Sequence, residues 1–123
     1  MENKTILIVD DAPENITILA EVLSGFNCRV ATNGAKAIKI INSGTKIDLV
    51  LLDVVMPVMD GFEVAKIIKG NPETSSIPII FVTGQTDAQS FVKGFDLGAE
   101  DYLMKPFDPE AVLRVVNQKL LPG

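Results

Sequence analysis

Four apolar runs in this chain each end on groups that could do chemistry. Thr5 to Val9 ends in Asp10-Asp11, and Ile47 to Leu52 ends in Asp53. Ile77 to Val82 ends in Thr83-Gly84, and Asp101 to Met104 ends in Lys105-Pro106. Each piece alone reads blandly. An Asp-Asp pair before a helix is usually a cap, a lone Asp after a strand is usually a turn residue, and a lysine in a loop is usually solvated. Together they amount to three carboxylates, a hydroxyl and an ammonium, and phosphoryl transfer to a carboxylate needs that set. Close carboxylates repel each other, and a hard divalent cation relieves the repulsion. Mg²⁺ suits such a site, with Mn²⁺ as a substitute, because it accepts a few carboxylates and keeps waters for a phosphate to replace. An aspartate nucleophile gives an acyl phosphate. A lysine stabilises a phosphoryl oxygen, and a hydroxyl can bond to the new group.

These groups meet only if the runs are strands of one parallel sheet. Short runs rich in Val, Ile and Leu suit strands buried on both faces. Pro13 fits a first helical turn, and Ile16, Leu19, Ala20 and Leu23 follow at helical spacing until Gly25. Cys28 to Thr32 is a second strand, and Asn33-Gly34 a turn. Ala37, Ile38 and Ile41 make a second helical stripe. Met56-Pro57 stops the third strand, and Asp60-Gly61 turns into a helix over residues 61–69. Ala88, Phe91, Val92 and Phe95 give a fourth helix, with Gly98 at its stop. Asp108-Pro109 caps a last helix carrying Val112, Val115, Val116 and Leu120. Five strands alternating with five helices predict a parallel sheet covered on both faces. The ends of its strands then lie on one side, where ligands bind in such folds.

The chain has 123 residues, which fits one domain with one core. Its net charge is −5 and its pI about 4.6, so direct nucleic-acid binding by this domain is disfavoured. It has no apolar run near the length of a membrane span and no signal-peptide pattern, which predicts a cytoplasmic domain without membrane contact. The single cysteine, Cys28, reads as a small buried hydrophobe. With no histidine anywhere, the chain supplies neither a His base nor a phosphohistidine of its own. A phosphoryl group must come from elsewhere.

The stretches ILIVDD, LLDVVMPVMDG, FVTG and YLMKPF, in this order, resemble the response-regulator receiver domains of two-component and phosphorelay systems. The likeness covers essentially residues 1–123, with residues 121–123 as the start of a linker to an output domain. It implies a flavodoxin-like (βα)5 three-layer sandwich with strand order 2-1-3-4-5. It implies that Asp53 is the phosphoacceptor, that Asp10 and Asp11 hold the metal with Asp53, and that the Val55 backbone carbonyl completes the metal site. Thr83 resembles the switch hydroxyl, Lys105 the phosphate-contacting lysine and Tyr102 the switch aromatic. Val55 and Gln85 resemble the positions that tune the lifetime of the phosphorylated state. The Lys105-Pro106 bond is typically cis in the family. The implied partners are a sensor histidine kinase or histidine phosphotransfer protein, then an output domain or protein, with homodimerisation left open. DDAPEN, residues 10–15, is similar to receivers joined to cyclic-di-GMP enzymes.

Two other functions compete. A phosphatase with an aspartyl nucleophile, as in the haloacid-dehalogenase-like group, needs a second Asp two residues after the first. Here that residue is Val55. A flavin carrier of the same fold needs a phosphate-cradling loop after the first strand, and here that loop is Asp-Asp-Ala-Pro-Glu. A receiver-like platform that binds without being phosphorylated is disfavoured by the complete set of site residues.

Overall fold

The computed structural model describes residues 4–84, 93–94 and 96–120. Five strands, β1 (Thr5–Val9), β2 (Asn27–Ala31), β3 (Leu49–Asp53), β4 (Ile79–Thr83) and β5 (Asp101–Met104), form one sheet. Its order is β2-β1-β3-β4-β5, and every pairing is parallel. The helices whose bounds fall within the described residues are α1 (Pro13–Val22), α2 (Gly34–Asn42), α3 (Gly61–Gly70) and α4 (Pro109–Leu120). Of the fourth helical stripe read in the sequence, Ala88, Phe91, Val92 and Phe95 lie outside the described residues, while Lys93, Gly94 and Asp96 are helical.

The side chains of the central strands alternate between two cores, as the period of two demands. Leu7, Val9, Val50, Leu52, Ile79 and Phe81 pack with Ala37 and Ile41 of α2 and with Val64 and Ile68 of α3. Ile6, Ile8, Leu49, Leu51, Ile80 and Val82 pack with Leu19 and Leu23 and with Val112 and Val116 of α4. This is the three-layer α/β sandwich of flavodoxin-like type. β1, β3 and β4 are buried on both faces, which explains their unbroken apolar runs. β2, at the edge, is mostly exposed.

Three strand boundaries move relative to the sequence reading. β3 begins at Leu49, because Asp48 accepts from Thr5 N–H through its side chain (2.8 Å). It ends on Asp53 itself. β4 begins after Pro78, whose carbonyl accepts from Val50 N–H (3.0 Å), so the proline gives up no strand donor. β2 runs one residue earlier than expected.

Two presumed turns are helix caps. Asn33 Oδ1 accepts from Lys36 N–H (2.8 Å) at the start of α2. Asp60 Oδ1 does the same for Glu63 N–H (2.9 Å) at the start of α3. Asp108 caps α4 as read, accepting from Glu110 N–H (3.2 Å).

Candidate functional site

β1, β3 and β4 bring their C-terminal ends side by side. Val9 pairs with Leu52, and Asp53 with Val82, so Asp10, Asp53 and Thr83 crowd one edge of the sheet. Asp10, Asp53 and Thr83 are buried, with about 1–2% of their surfaces exposed. Asp11 lies one residue further out and is exposed. Carboxylate oxygens of Asp10, Asp11 and Asp53 all fall within 4.8 Å of one another. Asp10 Oδ1 accepts from Ala12 N–H (2.9 Å), which fixes its side chain across the start of the loop.

Lys105 reaches into this group from the loop after β5. Its backbone N–H donates to the Thr83 carbonyl (3.0 Å), and the Lys105-Pro106 bond is cis, as the resemblance implied. Its Nζ lies 3.2 Å from Asp53 Oδ1 and 3.4 Å from Asp10 Oδ2. The second approach is an ion pair without hydrogen-bond geometry, since Asp10 Oδ2 is buried with no hydrogen-bond partner among the described residues.

Burial, and after it the charge of Asp10, push the Asp53 carboxyl up to about 6. Lys105 and the Val55 N–H oppose that shift. Burial lowers the Lys105 ammonium, but the two carboxylates outweigh it and hold it above its ordinary value. One lysine thus faces two buried carboxylates and a third beside them, leaving an excess of negative charge. A buried Asp10 oxygen that faces only the shared Lys105 ammonium, and three converging hard oxygen donors, fit a small divalent cation.

The β3–α3 loop shapes the outer wall. Val55 N–H approaches Asp53 Oδ1 (3.4 Å), and the Val55 side chain is 56% exposed. Gly61 is buried where α3 begins, and its N–H donates to the Val54 carbonyl (2.9 Å). A Cβ there would collide with the Asp53 carbonyl and stand 2.9 Å from Val54 Cα. Gly61 is thus a close-approach glycine behind Asp53, a role that the turn reading missed. The neighbouring motif Met-Asp-Gly was its visible sign.

Val58 has φ +69° and is fully exposed. With Met59 N–H donating to the Pro57 carbonyl (2.8 Å), it is the centre of a rare positive-φ γ-turn. A β-branched residue is strained there. Val58→Gly is expected to raise stability by about 1 kcal/mol, read as a higher urea midpoint. An unchanged or lower midpoint would show that the loop carries no such strain.

Tyr102 pairs with Phe81 across β4 and β5, and their rings lie 5.5 Å apart. Phe81 in turn meets Phe62 edge-on at 5.1 Å. Of the site residues read from the sequence, Asp10, Asp11, Asp53, Val55, Thr83 and Lys105 converge at the lip. Tyr102 stands on the adjoining strand, and Gln85 lies outside the described residues. No helix among the described residues is long and apolar enough to cross a membrane.

The model of the "Response regulator receiver domain" family matches residues 6–117. A probable cyclic di-GMP phosphodiesterase of Vibrio cholerae is 48% identical over 103 residues, which is 83% of this chain and 23% of that protein. The phosphate regulon transcriptional regulatory protein PhoB of Pseudomonas aeruginosa is 40% identical, over 100% of this chain and 56% of its own. The chain therefore spans a quarter to about half of these curated relatives. Among solved structures, the chemotaxis protein CheY4 of Vibrio cholerae superposes with a TM-score of 0.91 at 29% identity, covering 97% of this chain and 100% of that one. With the match spanning nearly the whole sheet and the acidic lip in place, this chain belongs to the response regulator receiver domain family, a family of phosphoacceptor signalling switches.

Proposed function

We propose that Asp53 is the phosphoacceptor of this switch, and that its phosphorylation is read out through Thr83 and Tyr102. The observation that carries the assignment is the position of Asp53. It is the buried carboxylate at the centre of the lip, between Asp10 and Lys105, with its acidity weakened by burial. Asp10, Asp11, Asp53 and the Val55 carbonyl would hold Mg²⁺. When bound, Mg²⁺ neutralises charge on the transferring phosphoryl group and relieves the repulsion among the carboxylates.

The chain's own residues do the rest. An Asp53 carboxylate oxygen attacks the phosphorus of a donor phosphohistidine. The P–N bond breaks, the P–O bond forms, and the histidine leaves with the electron pair. Lys105, already 3.2 Å from Asp53 Oδ1, turns to an oxygen of the new group. The modification adds about 1.5 to 2 negative charges at a lip already rich in them. Lys105 and the Thr83 hydroxyl are drawn toward it, which biases a two-state equilibrium that extends to Tyr102. The chain catalyses its own phosphorylation and dephosphorylation and turns over no other substrate.

The donor is a sensor histidine kinase or a histidine phosphotransfer protein, and an output domain or protein receives the signal. The likeness to a cyclic di-GMP phosphodiesterase, together with DDAPEN after β1, supports an output of that kind over a DNA-binding one. Intact mass after incubation with acetyl phosphate tests the reading. A gain of one phosphoryl group that requires Mg²⁺ and is abolished by EDTA is expected. No gain from acetyl phosphate or from any phosphohistidine donor would leave a binding platform.

Val55 and Gln85 are the positions assigned to tuning lifetime. Val55 presents an apolar, half-exposed side chain beside Asp53 and cannot orient a hydrolytic water. Val55→Asn is expected to shorten the life of the acyl phosphate several-fold, measured as loss of phosphoryl mass with time after donor removal. Equal decay of the two proteins would remove Val55 from that role.

A further inference from the structure

Tyr102 does not rest on side chains alone. Its ring leans on Phe81, and its hydroxyl hydrogen-bonds to the backbone of Gly94. Gly94 is buried and helical, and its carbonyl accepts from Leu97 N–H and Ala99 N–H (both 3.1 Å), which closes that helix. A Cβ built on Gly94 would fall on the Tyr102 hydroxyl, 2.7 Å from Tyr102 Cζ and 3.0 Å from Phe81 Cδ2. On the preceding residue, Lys93 Nζ sits 4.7 Å above the Phe62 ring. Two adjacent helical residues therefore grip the two ends of the row Phe62, Phe81 and Tyr102. Within a helix, glycine is the poorest choice after proline, costing helix stability relative to alanine. Its presence at 94 calls for a local reason, and the hydroxyl of Tyr102 supplies one.

We propose that Gly94 is a positioning residue of the switch. Its missing side chain is the space that the Tyr102 hydroxyl occupies, so the residue type at 94 decides whether Tyr102 can lie against Phe81. This rests on the reading of Tyr102 as the switch aromatic. It adds that the inward place of the ring is set by the helix as well as by Thr83. With alanine at 94 the ring is expelled toward solvent, and phosphorylation of Asp53 proceeds without changing the surroundings of Tyr102.

The chain is well suited to the test. Tyr102 is its one tyrosine, and there is no tryptophan. Emission and phenol absorbance therefore report this residue alone. In the full chain, burial holds the Tyr102 phenol above its ordinary value. In Gly94→Ala, the absorbance titration is expected to shift down toward about 10, the value of an exposed phenol. Quenching of the emission by acrylamide is expected to rise, and the change in quenching that acetyl phosphate with Mg²⁺ causes in the wild type should be lost. Phosphoryl uptake by mass should match the wild type. If neither protein takes up a phosphoryl group, the functional reading fails, while the titration still judges the seat.

A folded Gly94→Ala with the wild-type phenol titration and quenching would overturn the proposal. If Gly94→Ala does not fold, the same change is made in a Tyr102→Leu background. There it should leave the urea midpoint equal to or above that of Tyr102→Leu alone. A double variant that also fails to fold would show that glycine is needed at 94 for a reason unrelated to Tyr102.

Discussion

Asp53→Asn is expected to abolish phosphoryl uptake and, at the same time, to make the metal-free chain more stable at neutral pH. The first effect follows from the loss of the nucleophilic oxygen pair. An amide cannot form the acyl phosphate, and Asp11, the exposed carboxylate nearby, lacks the contact with Lys105 that Asp53 has. The second effect follows from burial. Asp53 titrates near 6 in the folded chain, against 3.8 for an ordinary aspartate. A carboxyl raised in this way destabilises the fold once it is charged. The cost is fully present above pH 6 and fades as the pH falls from 6 toward 3.8, where the folded chain holds a proton that the unfolded chain has released. A difference of this size corresponds to about 3 kcal/mol at most.

Asparagine removes that cost but leaves Lys105 with Asp10 alone, so a net gain of about 1–2 kcal/mol at pH 7 is expected. Urea midpoints in EDTA should place Asp53→Asn above the wild type at pH 7, with the gap closing by pH 4.5. Comparing the two proteins at each pH cancels the titration of every other group. A variant less stable than the wild type at pH 7 would mean that Lys105 already compensates the buried charge in full. The site would then be an ion pair serving stability, and its strain could not be ascribed to function.

Much of this arrangement was legible in the chain because strand ends are punctuated by chemistry. Runs such as ILIV and LVLL suit strands buried on both faces, and in a parallel sheet the polar residue that ends each run lies at the lip. Parallel pairing then brought Asp10, Asp53, Thr83 and Lys105 together without any knowledge of contacts. Strand order was not legible from periodicity, since right-handed crossovers allow several orders, and it came with the family resemblance.

Close approaches were also hidden. Gly61 and Gly94 read as helix punctuation or as nothing, because a sequence shows that a side chain is missing but not what fills its place. Val58 shows the opposite case. Its local rule is broken by the γ-turn that closes the loop behind Asp53, and no apolar pattern signals a positive φ. The shifted start of β4 has a similar origin, since only the fold could show that the Pro78 carbonyl, and not a strand, meets Val50.

Lys105→Met tests whether the cation, rather than the shape of the site, holds the carboxylates together. Methionine keeps most of the stem and removes the charge. Asp53 and Asp10 would then be buried side by side with no cation among the described residues to face them, which is the costly half of a broken buried pair. A loss of about 2–3 kcal/mol is expected at pH 7 in EDTA, less than the full cost of an unpaired buried charge because Asp53 can take a proton instead.

The direction with pH is then fixed. Without Lys105, which lowers it, the Asp53 carboxyl moves further up from about 6. The destabilisation is therefore present at pH 7 and shrinks as acid neutralises one carboxylate. Mg²⁺ should restore stability at pH 7 by supplying the missing positive charge. Uptake of the phosphoryl group is expected to slow by about 10²-fold or more even in Mg²⁺, since a donor aimed at the developing charge has gone. A Lys105→Met protein with the wild-type midpoint at pH 7 in EDTA would show that the carboxylates do not repel strongly enough to need a counter-ion. The same result would weaken the case for a divalent cation at this lip, because both conclusions rest on one excess of negative charge.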